Sequence, residues 1–238
     1  MLSRPGLRVA VLCSARAPGL VDLVCDDPNR GRLYDLVLCM ATDPECGELA
    51  LLDAARIPSM IHDLRRFYAS RRTKRSDLGV RRDYDRRTAE LLTVARVDLV
   101  VLCGYLHIVT EPLLATFPRR IINVHDADLT VLDADGRPKY RGLHATRDAV
   151  FAGEPETRST MHIVTAEVDV GPLLVRSDAF PTHPMVNEAR RWGATDILKA
   201  YAYAQREWMM RASWGTLLAR AIELYARGQV RLEEARVA

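Results

Sequence analysis

The stretch Asp98–His125, DLVVLCGYLHIVTEPLLATFPRRIINVH, decides how the chain folds. After Asp98 it opens on an unbroken apolar run through Cys103, the composition of a strand covered on both faces. Pro112 then starts a short helical pattern that runs to Thr116, with proline near the start, where a missing N–H costs nothing. Arg120–Val124 is a second apolar run rich in branched residues. Two buried strands joined by a helix make a parallel pair. The same alternation lies upstream. RVAVLC at Arg8–Cys13, DLVLCM at Asp35–Met40 and Ile57–Ile61 read as strands, with helical spacing at Leu20–Cys25, Glu45–Ala55 and Tyr84–Ala95. The pattern predicts a Rossmann-like α/β fold with a doubly wound, mostly parallel sheet.

Downstream of His125 the character changes. His144–Phe151 reads as a helix, and Thr160–Val164 and Leu173–Arg176 as strands around a Gly171-Pro172 turn. Glu188–Arg227 is helical almost throughout, as one helix or as two broken near Gly193 or Gly215. Trp192, Trp208 and Trp214 are expected in the core. No Pro/Gly/Ser-rich linker or repeat divides the 238 residues, so a single domain is expected over 1–238, with a nucleotide-binding-like half, 1–125, and a second half, 126–238, that ends in helices.

Composition excludes several classes. No apolar run is long enough to cross a bilayer, and Met1–Gly6 lacks the apolar region of a secretion signal, so a cytoplasmic protein without membrane contact is expected. The five cysteines are odd in number and form no CxxC pair. They read as reduced, buried thiols, and no metal site is expected. The net charge of +3 conceals a local patch, because Arg65–Arg87 holds ten Arg or Lys against three Asp. A solvated loop is the simplest reading of that patch. Its few aromatics, Phe67, Tyr68 and Tyr84, argue against a nucleic-acid platform. No GxGxxG or GxxxxGK[ST] occurs, which disfavours dinucleotide and P-loop sites.

In doubly wound sheets ligands bind beyond the carboxyl ends of the strands. Gly104 and Tyr105 stand at one such end, Asn123 and His125 at another. An amide that can donate to a developing oxyanion, an imidazole that can move a proton, and a carboxylate, Asp169, that can hold the imidazole form an acyl-transfer set if they converge. Each alone has a plain alternative as a turn-former or a backbone-satisfied group. His162, between apolar neighbours, reads as buried with a backbone partner.

The ordered set Gly104-Tyr105-Leu106, Asn123-Val124-His125, Gly142-Leu143-His144 and His162–Pro172 (HIVTAEVDVGP) resembles the formyltransferases that use 10-formyltetrahydrofolate. By length and motif order it is closest to the glycinamide ribonucleotide branch, from about Arg8 to about Leu232. The resemblance implies catalytic roles for Asn123, His125 and Asp169, with 10-formyltetrahydrofolate as formyl donor and no metal. It implies a pteridine held by Leu106, His107 and Val109 and by Thr165, Ala166, Glu167 and Val168, and Arg81 near the folate glutamate carboxylate. Gly142, His144 and Glu167 fall on the acceptor side.

The departures concern the acceptor. The family's phosphate-cradling Gly-x-Gly-Ser-Asn loop is replaced by Ala15-Arg16-Ala17-Pro18-Gly19, which lacks the glycine dihedrals and one N–H, although Arg16 can meet an anion by charge. After His125 the usual Pro-Ser-Leu-Leu-Pro is replaced by Asp126-Ala127-Asp128-Leu129-Thr130. An extra segment, Val131–Pro138, follows with a hairpin signal at Asp135-Gly136. The expected function is therefore formyl transfer to a primary amine of a small molecule other than glycinamide ribonucleotide, by a monomer or homodimer. Asp126 and Asp128 suggest a cationic acceptor. The alternatives are a glycinamide ribonucleotide formyltransferase, a 10-formyltetrahydrofolate hydrolase and a non-catalytic folate-binding protein. A hydrolase of this family usually carries an extra N-terminal domain, for which a first strand at Arg8 leaves no room.

Overall fold

A computed structural model describes residues 6–230. Met1–Pro5 of the N-terminal segment, and residues 231–232 at the far end of the family resemblance, lie outside them. The first half runs β1 (Leu7–Cys13), α1 (Pro18–Cys25), β2 (Tyr34–Ala41), α2 (Leu49–Ala54), β3 (Ser59–Ile61), α3 (Leu64–Ser70), α4 (Leu78–Val94), β4 (Leu99–Leu102), α5 (Glu111–Thr116) and β5 (Ile121–His125). The second half runs α6 (Ala145–Ala152), β6 (Glu156–Thr157), β7 (Thr160–Ile163), β8 (Leu173–Arg176), β9 (Phe180–Pro181), α7 (Met185–Arg191) and α8 (Thr195–Ala226).

The main sheet has the order β3-β2-β1-β4-β5-β7-β8. Strands β1 to β5 are parallel, and β7 and β8 add antiparallel partners at one end. The expected doubly wound sheet is present. Its two faces follow from the period of two in β1. Val9 and Val11 point into a core with Leu20 of α1 and Leu217 and Leu218 of α8. Ala10 and Leu12 point into a second core with Leu92 of α4, Leu113 of α5 and Phe117.

Strand order reverses between β1 and β4, where a ligand crevice is expected. Here the segments that follow the two strands touch. The Ser14 N–H donates to the Gly104 carbonyl at 3.1 Å. Gly104 has φ of +65°, and a Cβ there would collide with the Arg16 carbonyl oxygen. The open space lies instead beyond the ends of β4 and β5.

Several expectations change. The arginine-rich stretch is mostly helical, not a loop. Asp77 caps α4 by accepting from the Gly79 and Val80 N–H groups at 2.9 and 3.2 Å, so the helix starts six residues before Tyr84. The C-terminal helices break at Gly193, where φ is +65°, and α8 continues through Gly215. A side chain at Gly215 would strike Asp22 of α1, so that glycine serves close helix packing. Of the tryptophans only Trp214 is core; Trp192 is 77% and Trp208 48% exposed. Cys25 is exposed, while the other four cysteines are buried. The Val131–Pro138 segment makes a small ribbon, with a Leu132–Pro138 bridge and the Asp133 N–H donating to the Arg137 carbonyl at 2.8 Å. Among the described residues no helix is long and apolar enough to cross a membrane.

Candidate active site

A cleft of about 700 Å³ opens beyond β4 and β5. Asn123 and His125 reach it because they are alternate residues at the end of β5 and so share a face. Antiparallel pairing sets His162 of β7 directly opposite Asn123, on that same face. The loop after β7 returns Asp169 to the same point. Its φ of +56° is a left-handed conformation that Asp tolerates better than most residues. The Gly142 N–H holds its Oδ2 at 2.7 Å.

The four side chains form one cluster, in which His125, His162 and Asp169 are buried. Asp169 Oδ2 lies 3.4 Å from His125 Nδ1, and Oδ1 lies 3.4 Å from His162 Nε2. His162 Nδ1 donates to the Ile163 carbonyl at 3.1 Å. Its Nε2 is then free to accept from Asn123 Nδ2 at 3.1 Å, which leaves the second Asn123 N–H for the cleft. His125 Nε2 donates to the Tyr140 carbonyl at 3.0 Å while Nδ1 faces the carboxylate. Both ring nitrogens of His125 therefore face oxygen atoms. Burial alone would push the Asp169 carboxyl up. Contact with the His162 ring, the charge of His125 and the Gly142 N–H outweigh it and hold the group below the usual carboxylate range.

One side of the cleft is apolar. Leu106, Ile108 and Val109 follow β4, and Val164, Ala166 and Val168 belong to the loop after β7. Leu106, Ile108, Val168 and Leu143 are about half exposed or more, although they sit together around one opening. His107, Thr165 and Glu167 complete this side. Burial, together with the charges of Arg81 and Arg75, lowers His107 to about 4, so it lines the cleft as a neutral ring. The other side is formed by Gly142, His144 and Arg147 around the start of α6 and by Lys199, Tyr203 and Arg206 of α8.

Four expected positions behave otherwise. Arg81 does not line the cleft. It faces inward from the start of α4, is 3% exposed, pairs with Asp85 at 2.9 Å and donates to the Tyr105 hydroxyl at 2.5 Å. Arg16 is engaged by Glu207, with both Nη nitrogens donating to the two carboxylate oxygens at 2.9 Å. Asp128 is off the cleft, paired with Arg176 at 3.1 Å and Arg158 at 3.6 Å. Asp126 is in the cleft wall, but its carboxylate accepts from Trp214 Nε1 and meets Arg206 Nε, each at 2.8 Å. Neither aspartate offers a free charge to a cationic acceptor.

His162 was read as a buried residue with a backbone partner and not as a member of the site, and the α8 residues were not singled out at all. For His162 the usable signal was its place in a strand able to pair with β5. For α8 it was the spacing of Lys199, Tyr203 and Arg206 on one helical face.

A doubly wound sheet thus brings an amide, two imidazoles and a carboxylate together at one strand end. The formyl transferase family profile matches residues 7–190, and the chain belongs to that family. The trifunctional purine biosynthetic protein adenosine-3 of Drosophila melanogaster is 32% identical over 186 residues, which are 77% of this chain and 12% of that protein's length. Glycinamide ribonucleotide transformylase 1 from Symbiobacterium toebii superposes with a TM-score of 0.69 at 27% identity, over 97% of this chain and 92% of that one. A formyltetrahydrofolate deformylase from Pseudomonas syringae pv. tomato shares the fold, with a TM-score of 0.70 at 17% identity over 98% of this chain and 65% of that one.

Proposed function

We propose that the chain transfers the formyl group of 10-formyltetrahydrofolate to a primary amine of a small molecule other than glycinamide ribonucleotide. The observation that carries formyl transfer is the convergence of Asn123, His125, His162 and Asp169 on a cleft with one apolar side. The half-exposed Leu106, Ile108, Leu143 and Val168 suit a flat ring system that they would cover. The amine attacks the formyl carbon. The free Asn123 N–H stabilises the tetrahedral oxyanion, and Asp169 fixes the imidazoles. His125 reaches the oxyanion once its Nε2 releases the Tyr140 carbonyl. As the carbon–N10 bond breaks, the proton lost by the amine is relayed through Asp169 to the leaving nitrogen.

The choice of acceptor rests on the segment after β1. There the Ala17 N–H donates to Glu48 Oε1 at 2.9 Å, and Arg16 is forked onto Glu207. Two protein carboxylates hold the groups that could face a substrate phosphate, and Pro18 has no N–H to offer. The second reading, glycinamide ribonucleotide itself, is favoured by the identity to the Symbiobacterium toebii enzyme.

The test is a mass-shift screen of amines, glycinamide ribonucleotide included, with 10-formyltetrahydrofolate as donor. Formylation of another amine in preference to the ribonucleotide is expected. Efficient turnover of the ribonucleotide would establish the second reading, and formate release without any amine would indicate hydrolysis.

A further inference from the structure

We propose that the face of α8 turned to the cleft receives an anionic group of the acceptor, a carboxylate or phosphate close to the amine that is formylated. This rests on formyl transfer to an amine as read above and adds the acceptor's charge. Lys199, Tyr203 and Arg206 lie at i, i+4 and i+7, so they form one stripe, and all three line the cleft. Arg147 joins them from α6. The stripe lies beyond residue 190, outside the part of the chain that the family profile matches.

Arg206 is the centre of this surface. Its Nε meets Asp126, the neighbour of His125 in the chain, so the guanidinium is held beside the reacting groups. Among the described residues neither Nη nitrogen makes a hydrogen bond, and the side chain is 31% exposed. A guanidinium fixed at Nε and open at Nη presents donors to a carboxylate or phosphate. Asp126 is already neutralised by that contact and by the Trp214 N–H. Lys199 and Arg147 have only exposed acidic neighbours on their own helices, Asp196 at 3.5 Å and Asp148 at 3.0 Å. Such pairs are screened by water and leave both cations available. Three cations thus stand against one committed carboxylate on the acceptor side. Because Arg206 is one residue away from the reacting centre through Asp126, the acceptor's anion and its amine are close together.

The experiment compares paired acceptors: amino acids with their amides, and amino-sugar phosphates with the parent amino sugars. In each productive pair the anionic member should show kcat/KM higher by about 10- to 100-fold, the usual worth of a charge-assisted hydrogen bond. Whichever pair responds separates carboxylate from phosphate. Arg147→Glu/Lys199→Glu should erase the preference through KM, and Arg206→Lys, which keeps a charge for Asp126, should weaken it. Donor binding in each variant reports that the fold is intact. Transfer without charge preference, or a preference untouched by the variants, would overturn the proposal.

Failure of every amine would sink the transfer reading instead. Inorganic phosphate titrated against the protein's tryptophan fluorescence then decides the present one. Saturable binding lost in Arg147→Glu/Lys199→Glu supports it, and no binding overturns it.

Discussion

Replacing Asp169 with Asn is the sharpest test of the cluster. Asparagine keeps the shape and can still accept from the Gly142 N–H, but it removes the charge facing two imidazoles at 3.4 Å each. Two unit charges at that spacing attract by about 5 kcal/mol at an effective dielectric near 20. If half to all of this is expressed as a proton passes through the site, the barrier rises by about 2.5–5 kcal/mol, or roughly 10²–10⁴-fold in kcat at 1.36 kcal/mol per decade. His125→Ala should fall in the same range, the usual worth of a positioned acid–base group. The assay is single-turnover formyl transfer at saturating donor, read with donor affinity and thermal unfolding. Donor affinity should change little, because the substitution is isosteric, and the unfolding curve shows that the fold is kept. Turnover within threefold of the parent in both variants would refute the assignment.

Gly104→Ala combines a left-handed φ with a collision against the Arg16 carbonyl and should cost more than about 2 kcal/mol, seen as a Tm drop of about 5 °C or more. Burial, with added repulsion from nearby arginines, lowers both His62 and His107 to about 4. An unfolded chain takes up these protons near pH 6.5 and the folded one does not, so their contribution to stability is complete above pH 6.5 and is lost as pH falls toward 4. His107→Gln should flatten the Tm-against-pH curve in that window, and an unchanged slope would exclude His107 as a source. Leu106→Ser with Val168→Ser should weaken donor binding about tenfold or more while leaving the Asp169 cluster intact, as measured by fluorescence titration.

The sheet was legible because β1, β2, β4 and β5 carry near-continuous apolar runs, which is what two covered faces require. Asn123 and His125 were legible because a strand that ends in polar residues marks its own carboxyl end. The partners of the charged residues were not. Arg81 looked like surface because it sits in an arginine-rich run, but its burial depends on Asp77 starting α4 early enough to turn it inward. Asp126 looked free because Arg206 and Trp214 are 80 and 88 residues away in sequence. Arg16 looked like an anion ligand for the same reason, its partner Glu207 being 191 residues away. Charge pairing across such spans leaves no local pattern. His162 was read correctly for its Ile163 partner and incompletely for its reach to Asn123 and Asp169.

Helix α8 is a beam supported at both ends. Its 32 residues extend about 48 Å, and its later half is clamped by Trp214, Leu217 and Leu218 against the sheet and α1. The earlier half is held too, with Leu198 and Ala202 packed on Val150 of α6 and on Val186 and Ala189 of α7, and it carries Lys199, Tyr203 and Arg206 along the cleft. Gly215 lies in the later half, where α8 meets Asp22 of α1. The width of the cleft on this side is thus set partly at a distance, by the packing of α8 on α1. Substitutions at Asp22 or Gly215, neither of which lines the cleft, should alter which acceptors fit without touching the donor side.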